Sequence, residues 1–254
     1  MTDVLICGIN GKMGANVLSL LNGDSGARAV CGVDSRTSVD GASVGVPVYK
    51  CFAEVKEKVG AIIDFSSPAA LKGELEWAVK NKVPVVLATT GYTESDLKLI
   101  DEASKSIAVF RTANFSLGVN LLVKLVREAA ETLGEKFDIE IIEKHHNQKV
   151  DAPSGTALML AESANKAFGG EKPYINGRQG AVGKRGNEIG IHAVRGGTIV
   201  GEHDVLFAGE DEVITISHAA HSKRVFAAGA IKAAKWIVGK PAGKYDMTNV
   251  LENL

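Results

Sequence analysis

Three glycines spaced three residues apart, directly behind a short apolar run, constrain this chain more than any other feature of its sequence. The apolar run is Val4-Leu5-Ile6-Cys7, and the glycines are Gly8, Gly11 and Gly14. Apolar residues then recur with helical spacing from Lys12 to Leu21. A strand, a tight glycine turn and a helix in this order direct free backbone amides and the positive helix end at an anion. The segment therefore predicts a strand–turn–helix unit that binds a pyrophosphate.

An acidic residue follows at the distance expected for such a unit. Asp34 ends the second apolar run, about twenty residues after the last glycine, where an acid hydrogen-bonds the ribose hydroxyls of a dinucleotide. Asp34 favours NADH, whereas Lys12 and Arg36 offer positive charge for the additional phosphate of NADPH. The pattern predicts a site open to either cofactor. The alternative to a cofactor site is a purely structural turn beside a surface aspartate. In that case Arg36 is a solvated charge in a loop.

Apolar runs alternate with helical segments through the first half of the chain. After the first run, four more predict strands over residues 29–33, 61–65, 83–88 and 107–110. Apolar strands interleaved with helices are typical of a parallel sheet that is covered by helices on both faces. The expected fold class is therefore α/β, with a Rossmann-type parallel sheet domain.

The pattern changes near residue 117, which we take as a domain boundary. Three segments follow it: a helix over about 117–133, a partly alternating strand over 137–143, and a helix beginning near Ser154. Residues 177–187 are rich in glycine and charge and predict a loop. The remaining runs predict strands over 188–195, 198–200, 203–207 and 212–218 and a last helix over about 224–238. Half-exposed strands of this kind predict an α+β domain with a mixed or mainly antiparallel sheet.

The composition argues against several classes of function. The chain carries 29 Lys and Arg against 30 Asp and Glu, so a general attraction to nucleic acid or to an anionic membrane is not expected. No apolar run is long enough to predict a transmembrane helix, and the start carries no basic segment typical of a signal peptide. The three cysteines, Cys7, Cys31 and Cys51, argue against a disulfide framework. We therefore expect a cytoplasmic protein.

Residues 143–156 hold the densest group of chemically active side chains. His145, His146 and Lys149 follow a predicted strand. An unperturbed histidine titrates near neutral pH, so His145 is a candidate general acid. Lys149 is a candidate source of positive charge or of a proton. No metal is expected, because neighbouring strand residues point to opposite faces and no cysteine lies nearby.

The sequence Pro-Ser-Gly-Thr begins the next helix. Ser154 is a candidate N-cap, and Gly155 and Thr156 would present backbone amides that bind a carboxylate. This stretch suits the reduction of a small anionic substrate, the alternative being solvated loop residues before a capped helix. Lys184-Arg185, in the predicted loop, is too small a basic cluster for nucleic acid but would suit steering of such a substrate. His192 and His203 are expected on strands, without a chemical role.

These motifs together resemble the 4-hydroxy-tetrahydrodipicolinate reductases, also called dihydrodipicolinate reductases, a family of the diaminopimelate–lysine pathway. The resemblance extends nearly from end to end, and residues 143–156 carry it most specifically. The other matching segments are residues 8–14, 64–68, 89–91, 113–120, 193–197, 201–203, 226–230 and 245–247.

The resemblance implies a reaction and a domain plan. The reaction is the reduction of 4-hydroxy-tetrahydrodipicolinate, a small cyclic dicarboxylate, by NADH or NADPH with loss of water, and tetrahydrodipicolinate is the product. The plan is a dinucleotide-binding domain over residues 1–116, a substrate-binding and tetramerisation domain over 117–226, and a C-terminal segment, 227–254, that returns to the first domain. A homotetramer is implied.

The resemblance also implies roles for single residues. His145 is the proton donor and acceptor, and Lys149 is the second proton donor. Substrate binding falls to His146, Ser154, Gly155 and Thr156. Together with the charge pattern above, it gives two groups of cofactor residues: Gly8, Ile9, Asn10, Gly11, Lys12, Met13, Asp34 and Arg36 at the adenosine and pyrophosphate end, and Ala88, Thr89, Thr90, Thr112, Ala113, Asn114 and Phe115 at the nicotinamide end.

Two positions depart from the family pattern. Ala88 stands where the family usually has glycine, so we expect its methyl group to crowd the nicotinamide and weaken cofactor binding. Ser35 separates Asp34 from Arg36, whereas the family often has an acid followed directly by arginine. The family's cofactor preference therefore does not transfer to this chain.

Overall fold

The computed structural model describes residues 1–36 and 44–253. The chain forms two compact units, Met1–Ser116 with Arg224–Leu254, and Leu117–Lys223. The second unit thus ends at Lys223, where the sequence predicted residue 226.

Twelve strands and seven α-helices are present in the described residues. The strands are β1 (Thr2–Cys7), β2 (Ala27–Val33), β3 (Val48–Tyr49), β4 (Ala61–Asp64), β5 (Val85–Leu87), β6 (Ala108–Arg111), β7 (Asp138–His145), β8 (Tyr174–Asn176), β9 (Ile189–Arg195), β10 (Gly201–Ala208), β11 (Val213–Ala220) and β12 (Gly243–Tyr245). The helices are α1 (Lys12–Leu21), α2 (Leu71–Asn81), α3 (Glu94–Ala103), α4 (Leu117–Leu133), α5 (Gly155–Asn165), α6 (Arg224–Ile237) and α7 (Met247–Leu251).

The first unit contains a parallel sheet in the order β12-β6-β5-β4-β1-β2-β3. Val4, Leu5 and Ile6 of β1, an interior strand of this sheet, are fully buried, which explains their continuous apolar run. Chain order reverses across β1, because β2 lies on one side of it and β4 on the other. Ligands of doubly wound sheets bind beyond the carboxyl ends of the strands at such a switch point.

The second unit contains a mixed sheet in the order β11-β10-β7-β9-β8. Strand β10 is antiparallel to β11 and β7, whereas β9 is parallel to β7 and β8. Helices α4 and α5 cover its apolar face, where Leu122 and Leu160 pack with Ile141, Val205 and Phe207. The two sheets confirm the predicted α/β class, with a Rossmann-type domain and a second domain that has a mixed sheet.

Several short elements differ from the prediction. The strand expected over residues 198–200 is wrong: Thr198 lies in a turn that follows Gly197, whose φ is +49°, and β10 begins only at Gly201. The β-branched residues of this stretch imitate a strand. Strands β3, β8 and β12 and helix α7 have no counterpart in the prediction. Within the part of the chain that is described, no helix is long and apolar enough to cross a membrane.

Candidate active site

The glycine turn lies at the carboxyl end of β1, in the first unit. Gly8 has a φ of +77°, and a Cβ there would lie 2.9 Å from the backbone oxygen of Phe65. A Cβ on Gly14 would lie 2.2 Å from the carbonyl oxygen of Gly8, so α1 packs on the turn only because residue 14 has no side chain. Gly11 closes the turn, since its N–H donates to the Gly8 oxygen at 2.9 Å. The spacing is thus required by backbone contact.

Asp34 lies just beyond β2 and is only 5% exposed. Its Oδ2 accepts a hydrogen bond from the Asn10 amide at 3.1 Å, and its Oδ1 accepts from the Arg36 amide at 3.0 Å and from Arg36 Nε at 3.3 Å. The Arg36 side chain remains 71% exposed. These contacts hold the predicted ribose-binding carboxylate and the predicted phosphate-binding cation against the glycine turn.

A cavity of about 810 Å³ opens beside these residues within the first unit. It is bordered by Gly8, Asp34 and Arg36, and also by Phe52 and Trp77, which the sequence did not single out. The ring centroids of these two aromatic side chains are 6.2 Å apart. A concave, partly aromatic cavity beside a carboxylate and a cation suits a nucleoside.

One unsatisfied polar atom lies in the glycine turn itself. Asn10 Nδ2 is buried and has no hydrogen-bond partner among residues 1–36 and 44–253. A buried donor without a partner costs free energy, and a bound polar ligand supplies an acceptor. Together with the cavity and the glycine turn, this atom indicates that the residues present fit a dinucleotide.

Ile9 and Phe115, two of the residues predicted at the cofactor site, have side chains that pack in the core. Ile9 is 1% exposed and packs against Gly32, where a Cβ would lie 2.7 Å from the Ile9 side chain. Phe115 is 5% exposed, and its ring centroid lies 6.1 Å from that of Phe65 and 5.9 Å from that of Phe110. Their backbone atoms, not their side chains, are therefore the groups that can contact a ligand. The other residues predicted at the nicotinamide end directly follow β5 and β6, at the same edge of the sheet as the glycine turn: Ala88, Thr89, Thr90, Thr112, Ala113 and Asn114.

The histidine strip lies in the second unit, where β7 ends. Alternate residues of β7 are buried, so Glu143 and His145 share a face with Ile139 and Ile141. Glu143 Oε2 lies 2.6 Å from His145 Nδ1, with Glu143 fully buried and His145 9% exposed. An ionised carboxylate only accepts hydrogen bonds, so Nδ1 carries the hydrogen and Nε2 is the nitrogen left to exchange a proton.

Glu143 has further partners from two other segments. Arg195, on β9, donates from Nη1 to Oε2 at 2.7 Å and from Nη2 to Oε1 at 2.8 Å. The Ser154 amide donates to Oε1 at 3.0 Å. Burial raises the pKa of Glu143, but the hydrogen bonds from Arg195, His145 and Ser154 lower it further than burial raises it. Glu143 is therefore a buried carboxylate held in its ionised form.

A second buried histidine joins this cluster. His203 Nε2, on β10, lies 3.1 Å from Ser154 Oγ, and its ring centroid lies 5.2 Å from that of His145. Burial lowers the pKa of His203 to about 4, so its ring is neutral at neutral pH. The sequence correctly predicted a strand for His203 but assigned it no chemistry, whereas the structure brings it into the site.

The remaining predicted substrate residues surround the start of α5. Ser154 is confirmed as the N-cap, since its Oγ accepts a hydrogen bond from the Ala157 amide at 3.2 Å. Gly155, the first residue of α5, is exposed, and Thr156 is half-buried. Lys149 Nζ donates to Asp151 Oδ1 at 2.8 Å. The Lys149 amide donates to the His146 carbonyl at 3.1 Å, which closes a turn between the two residues.

Arg185 does not have the free guanidinium that substrate steering requires. It donates to Glu140 Oε1, to Asp138 Oδ1 and to the carbonyl oxygens of Ile139, Gly186 and Glu188. Glu140 also accepts hydrogen bonds from Arg178 and His192. Burial raises the pKa of Glu140, but the hydrogen bonds from Arg178, His192 and Arg185 bring it down to about 2. Arg185 therefore fastens the glycine-rich segment to β7.

Comparison with known proteins decides the family. A sequence model of the dihydrodipicolinate reductase N-terminus matches residues 2–115, and a model of its C-terminus matches residues 118–251. The chain belongs to the dihydrodipicolinate reductase family. Members of this family are oxidoreductases, and the Rossmann-type sheet of the first unit is the fold that binds their nicotinamide cofactor.

Individual relatives agree over nearly the whole chain. The 4-hydroxy-tetrahydrodipicolinate reductase of Caldanaerobacter subterraneus subsp. tengcongensis is 51% identical over 99% of both chains. That of Clostridium tetani is 43% identical over 100% of this chain and 98% of its own. The solved structure of a dipicolinate-bound dihydrodipicolinate reductase from Paenisporosarcina sp. TG-14 covers 98% of this chain and 99% of its own, with a TM-score of 0.78 and 27% identity.

Three residues of the site were not predicted from sequence, namely Glu143, Arg195 and His203. The sequence signal that would have found Glu143 is the alternation along β7, which places it on the same face as His145. Arg195 and His203 have no comparable local signal, because they reach the site only through strand pairing: His145 lies opposite Arg195, and Glu143 lies opposite His203.

Proposed function

We propose that this protein catalyses the NAD(P)H-dependent reduction of 4-hydroxy-tetrahydrodipicolinate, with loss of water, to tetrahydrodipicolinate in diaminopimelate and lysine biosynthesis. The relatives that carry this activity in their names match the chain nearly end to end. The structural observation that supports the proposal most directly is the contact between His145 Nδ1 and the buried carboxylate of Glu143. The dipicolinate bound by the Paenisporosarcina enzyme is a dicarboxylate, which supports a dicarboxylate ligand here.

The first unit binds the cofactor in this proposal. Gly8, Gly11 and Lys12 bind the pyrophosphate at the start of α1, and Asp34 accepts hydrogen bonds from a ribose. When bound, the nicotinamide cofactor supplies the hydride that reduces the substrate.

Both NADH and NADPH are used. Asp34 is held in place by the Asn10 amide and by Arg36, and carboxylate oxygens have lone pairs left for the ribose hydroxyls of NADH. The exposed guanidinium of Arg36 and the ammonium groups of Lys50 and Lys80 border the same cavity. These cations favour the additional phosphate of NADPH.

His145 and Lys149 exchange protons with the substrate. With Nδ1 engaged by Glu143, His145 accepts and donates a proton at Nε2, and the buried carboxylate stabilises the imidazolium when both nitrogens are protonated. Lys149, whose Nζ donates to Asp151, supplies a second proton and positive charge for a carboxylate.

The substrate carboxylate lies at the start of α5 in this proposal. Ser154 caps the helix, Gly155 is its exposed first residue, and Thr156 follows. The first turn of a helix has amides without intrahelical acceptors and carries the positive end of the helix dipole. His146 contributes a further polar side chain to this end. The protein acts in the cytoplasm, as a homotetramer whose subunits assemble through the second unit.

The test is a coupled assay in which the upstream synthase makes the substrate from pyruvate and aspartate semialdehyde. Oxidation of NADH and of NADPH is followed separately by absorbance. We expect rapid synthase-dependent oxidation of both cofactors. The ratio of the two kcat/KM values gives the preference between NADH and NADPH that Asp34 and Arg36 determine.

His145→Gln is expected to lower kcat by about 10²–10⁴-fold, because it removes the proton-exchanging nitrogen. The Kd for cofactor should stay near that of the unaltered protein. His221→Gln, which replaces an exposed histidine, is the matched control. Near-normal turnover in His145→Gln would remove the role given to His145, and a protein that binds cofactor without any turnover would overturn the proposed function.

A further inference from the structure

We infer that Glu143 and Arg195 are a positioning pair that fixes the tautomer and ring orientation of His145 and couples both to the start of α5. The inference rests on the proposed function only in taking His145 as the proton-exchanging residue. Neither residue touches the substrate in this scheme. Both act through His145 and through the Ser154 amide.

The carboxylate of Glu143 is fully used by its neighbours. Oε2 accepts from His145 Nδ1 and Arg195 Nη1, and Oε1 accepts from Arg195 Nη2 and the Ser154 amide. The side chain has no exposed surface, so water does not replace a lost partner. Rotation of the carboxylate would break hydrogen bonds to two or more of these donors at once. Its orientation is therefore fixed from three separate segments.

The same arrangement determines what His145 presents. Because Nδ1 donates to Glu143, the neutral ring keeps its lone pair on Nε2. Nε2 faces Gly201, where an added Cβ would lie 3.1 Å away. Because Gly201 has no side chain, there is space for the His145 ring in this orientation. Without Glu143, either nitrogen could carry the hydrogen, and a fraction of the protein would present an N–H where proton acceptance requires a lone pair.

Arg195 links the histidine to the carboxylate-binding turn. Besides its two bonds to Glu143, its Nη2 donates to the Asp151 carbonyl at 2.7 Å. Asp151 precedes Ser154 by one short turn and also holds Lys149. A displacement of Arg195 would therefore change the positions of His145, Lys149 and the start of α5 together.

A purely structural ion pair is the competing explanation, and β7 contains a matched example of one. Glu140 lies on the same strand and binds two arginines and a histidine, Arg178, Arg185 and His192, but it does not contact His145. If ion pairing along β7 matters only for folding, replacing either glutamate should have the same consequences.

The experiment compares Glu143→Gln with Glu140→Gln. A glutamine at 143 turns an NH₂ group toward two donors, because the carboxylate accepts on both oxygens. Nitrogen chemical shifts of the histidine rings, with His145 assigned through His145→Gln, report its tautomer in each protein. We expect one Nδ1–H form in the unaltered protein and in Glu140→Gln, and a mixture of both tautomers in Glu143→Gln.

Kinetics supply the second readout. In the coupled assay we expect Glu143→Gln to lower kcat by about tenfold to a hundredfold, the range seen when a carboxylate that orients a metal-binding histidine is replaced, with little change in the KM for NADH. Arg195→Lys keeps the charge but loses the two parallel hydrogen bonds, so it should lower kcat in the same direction and serves if Glu143→Gln fails to fold.

A single Nδ1–H form of His145 in Glu143→Gln would overturn the positioning pair, as would an unchanged kcat in Arg195→Lys. So would equal losses of kcat in Glu143→Gln and Glu140→Gln. The tautomer readout does not need turnover, so a failure of the proposed function, seen as absence of activity in the unaltered protein, is distinguishable from a failure of this inference.

Discussion

At the scale of single residues, Glu74 is a buried acid that the proposed chemistry does not use. It lies on α2, is fully buried, and neither of its oxygens has a hydrogen-bond partner in the described part of the chain. Side-chain atoms of Cys7, Asp64 and Glu74 lie within 4.8 Å of one another, but the Asp64 oxygens already accept from Ser66 and Tyr92. Burial raises the pKa of Glu74 well above its ordinary value of 4.5, and the charge of Asp64 raises it further.

The raised pKa makes stability depend on pH with a definite sign. Above pH 4.5 the folded state holds the Glu74 proton more tightly than the unfolded state, so this group's contribution to stability is lost as pH rises through the folded pKa. Glu74→Leu removes this dependence and the unsatisfied carboxyl group. We expect it to raise the free energy of unfolding by about 1–3 kcal/mol at pH 8, and by less at pH 5.

Urea unfolding at the two pH values measures this effect. Glu76→Leu, at an exposed position two residues along the same helix, is the matched control and should not change the pH dependence. An unfolding free energy of Glu74→Leu at or below that of the unaltered protein at pH 8 would show that Glu74 has a stabilising partner.

Predictability from sequence also differs between individual residues of the site. The glycine turn and the Ser154 cap were predictable, because their partners are a few residues away: Ser154 Oγ, for example, binds Ala157. The hydrogen-bond network around Glu143 was not predictable from sequence. Its partner Arg195 is 52 positions away and lies beside it only because β7 pairs with β9. A local pattern cannot specify which strands become neighbours.

At the scale of secondary-structure elements, two helical glycines have opposite roles. A Cβ on Gly229, in α6, would lie 1.7 Å from the Phe115 carbonyl oxygen. Helix α6 can therefore pack this closely on the Phe115 backbone only because residue 229 has no side chain. A Cβ on Gly73, in α2, would have no neighbour within 4 Å among the residues that the structure describes. The same substitution should therefore change stability in opposite directions at the two positions.

Gly229→Ala is expected to lower the free energy of unfolding by about 3 kcal/mol or more, because the backbone must move to accept the methyl group. Gly73→Ala should raise it by about 0.5–1 kcal/mol, because alanine loses less backbone entropy in a helix. Urea unfolding of both variants provides the comparison, with each serving as the other's control. A loss of stability in both would mean that helix propensity does not govern the exposed site.

Elements with strong periodicity were the ones that the sequence predicted well. Helix α1 and helix α4 have the predicted bounds, since long amphipathic patterns define both. Strands β3, β8 and β12 have two or three residues each, too few for a periodic signal, and they form because a neighbouring strand offers hydrogen bonds. Residues 198–200 show the reverse error, where strand-forming residues occupy a turn.

At the scale of the whole molecule, the sheet of the second unit has two edges of different character. Strand β8 forms one edge with three residues, whereas β11 forms the other with eight. Val213 and Ile214 on β11 are 60% and 38% exposed. A long edge strand with exposed apolar residues pairs readily with another chain, and soluble proteins usually cover such an edge. We therefore place the proposed tetramer contact at β11.

Sedimentation and light scattering test this assembly directly. The unaltered protein should have a mass of about four times the 26.7 kDa of one chain. Ile214→Lys should reduce that mass at micromolar concentration, because a charge at a covered edge is costly to bury. Val182→Lys, which replaces an exposed apolar residue in the glycine-rich segment of the same unit, should leave it unchanged.

A tetramer that survives Ile214→Lys would exclude β11 as the contact, and a monomeric unaltered protein would exclude the tetramer itself. If the mass falls as expected, activity measured on the same samples then reports whether one chain suffices for turnover.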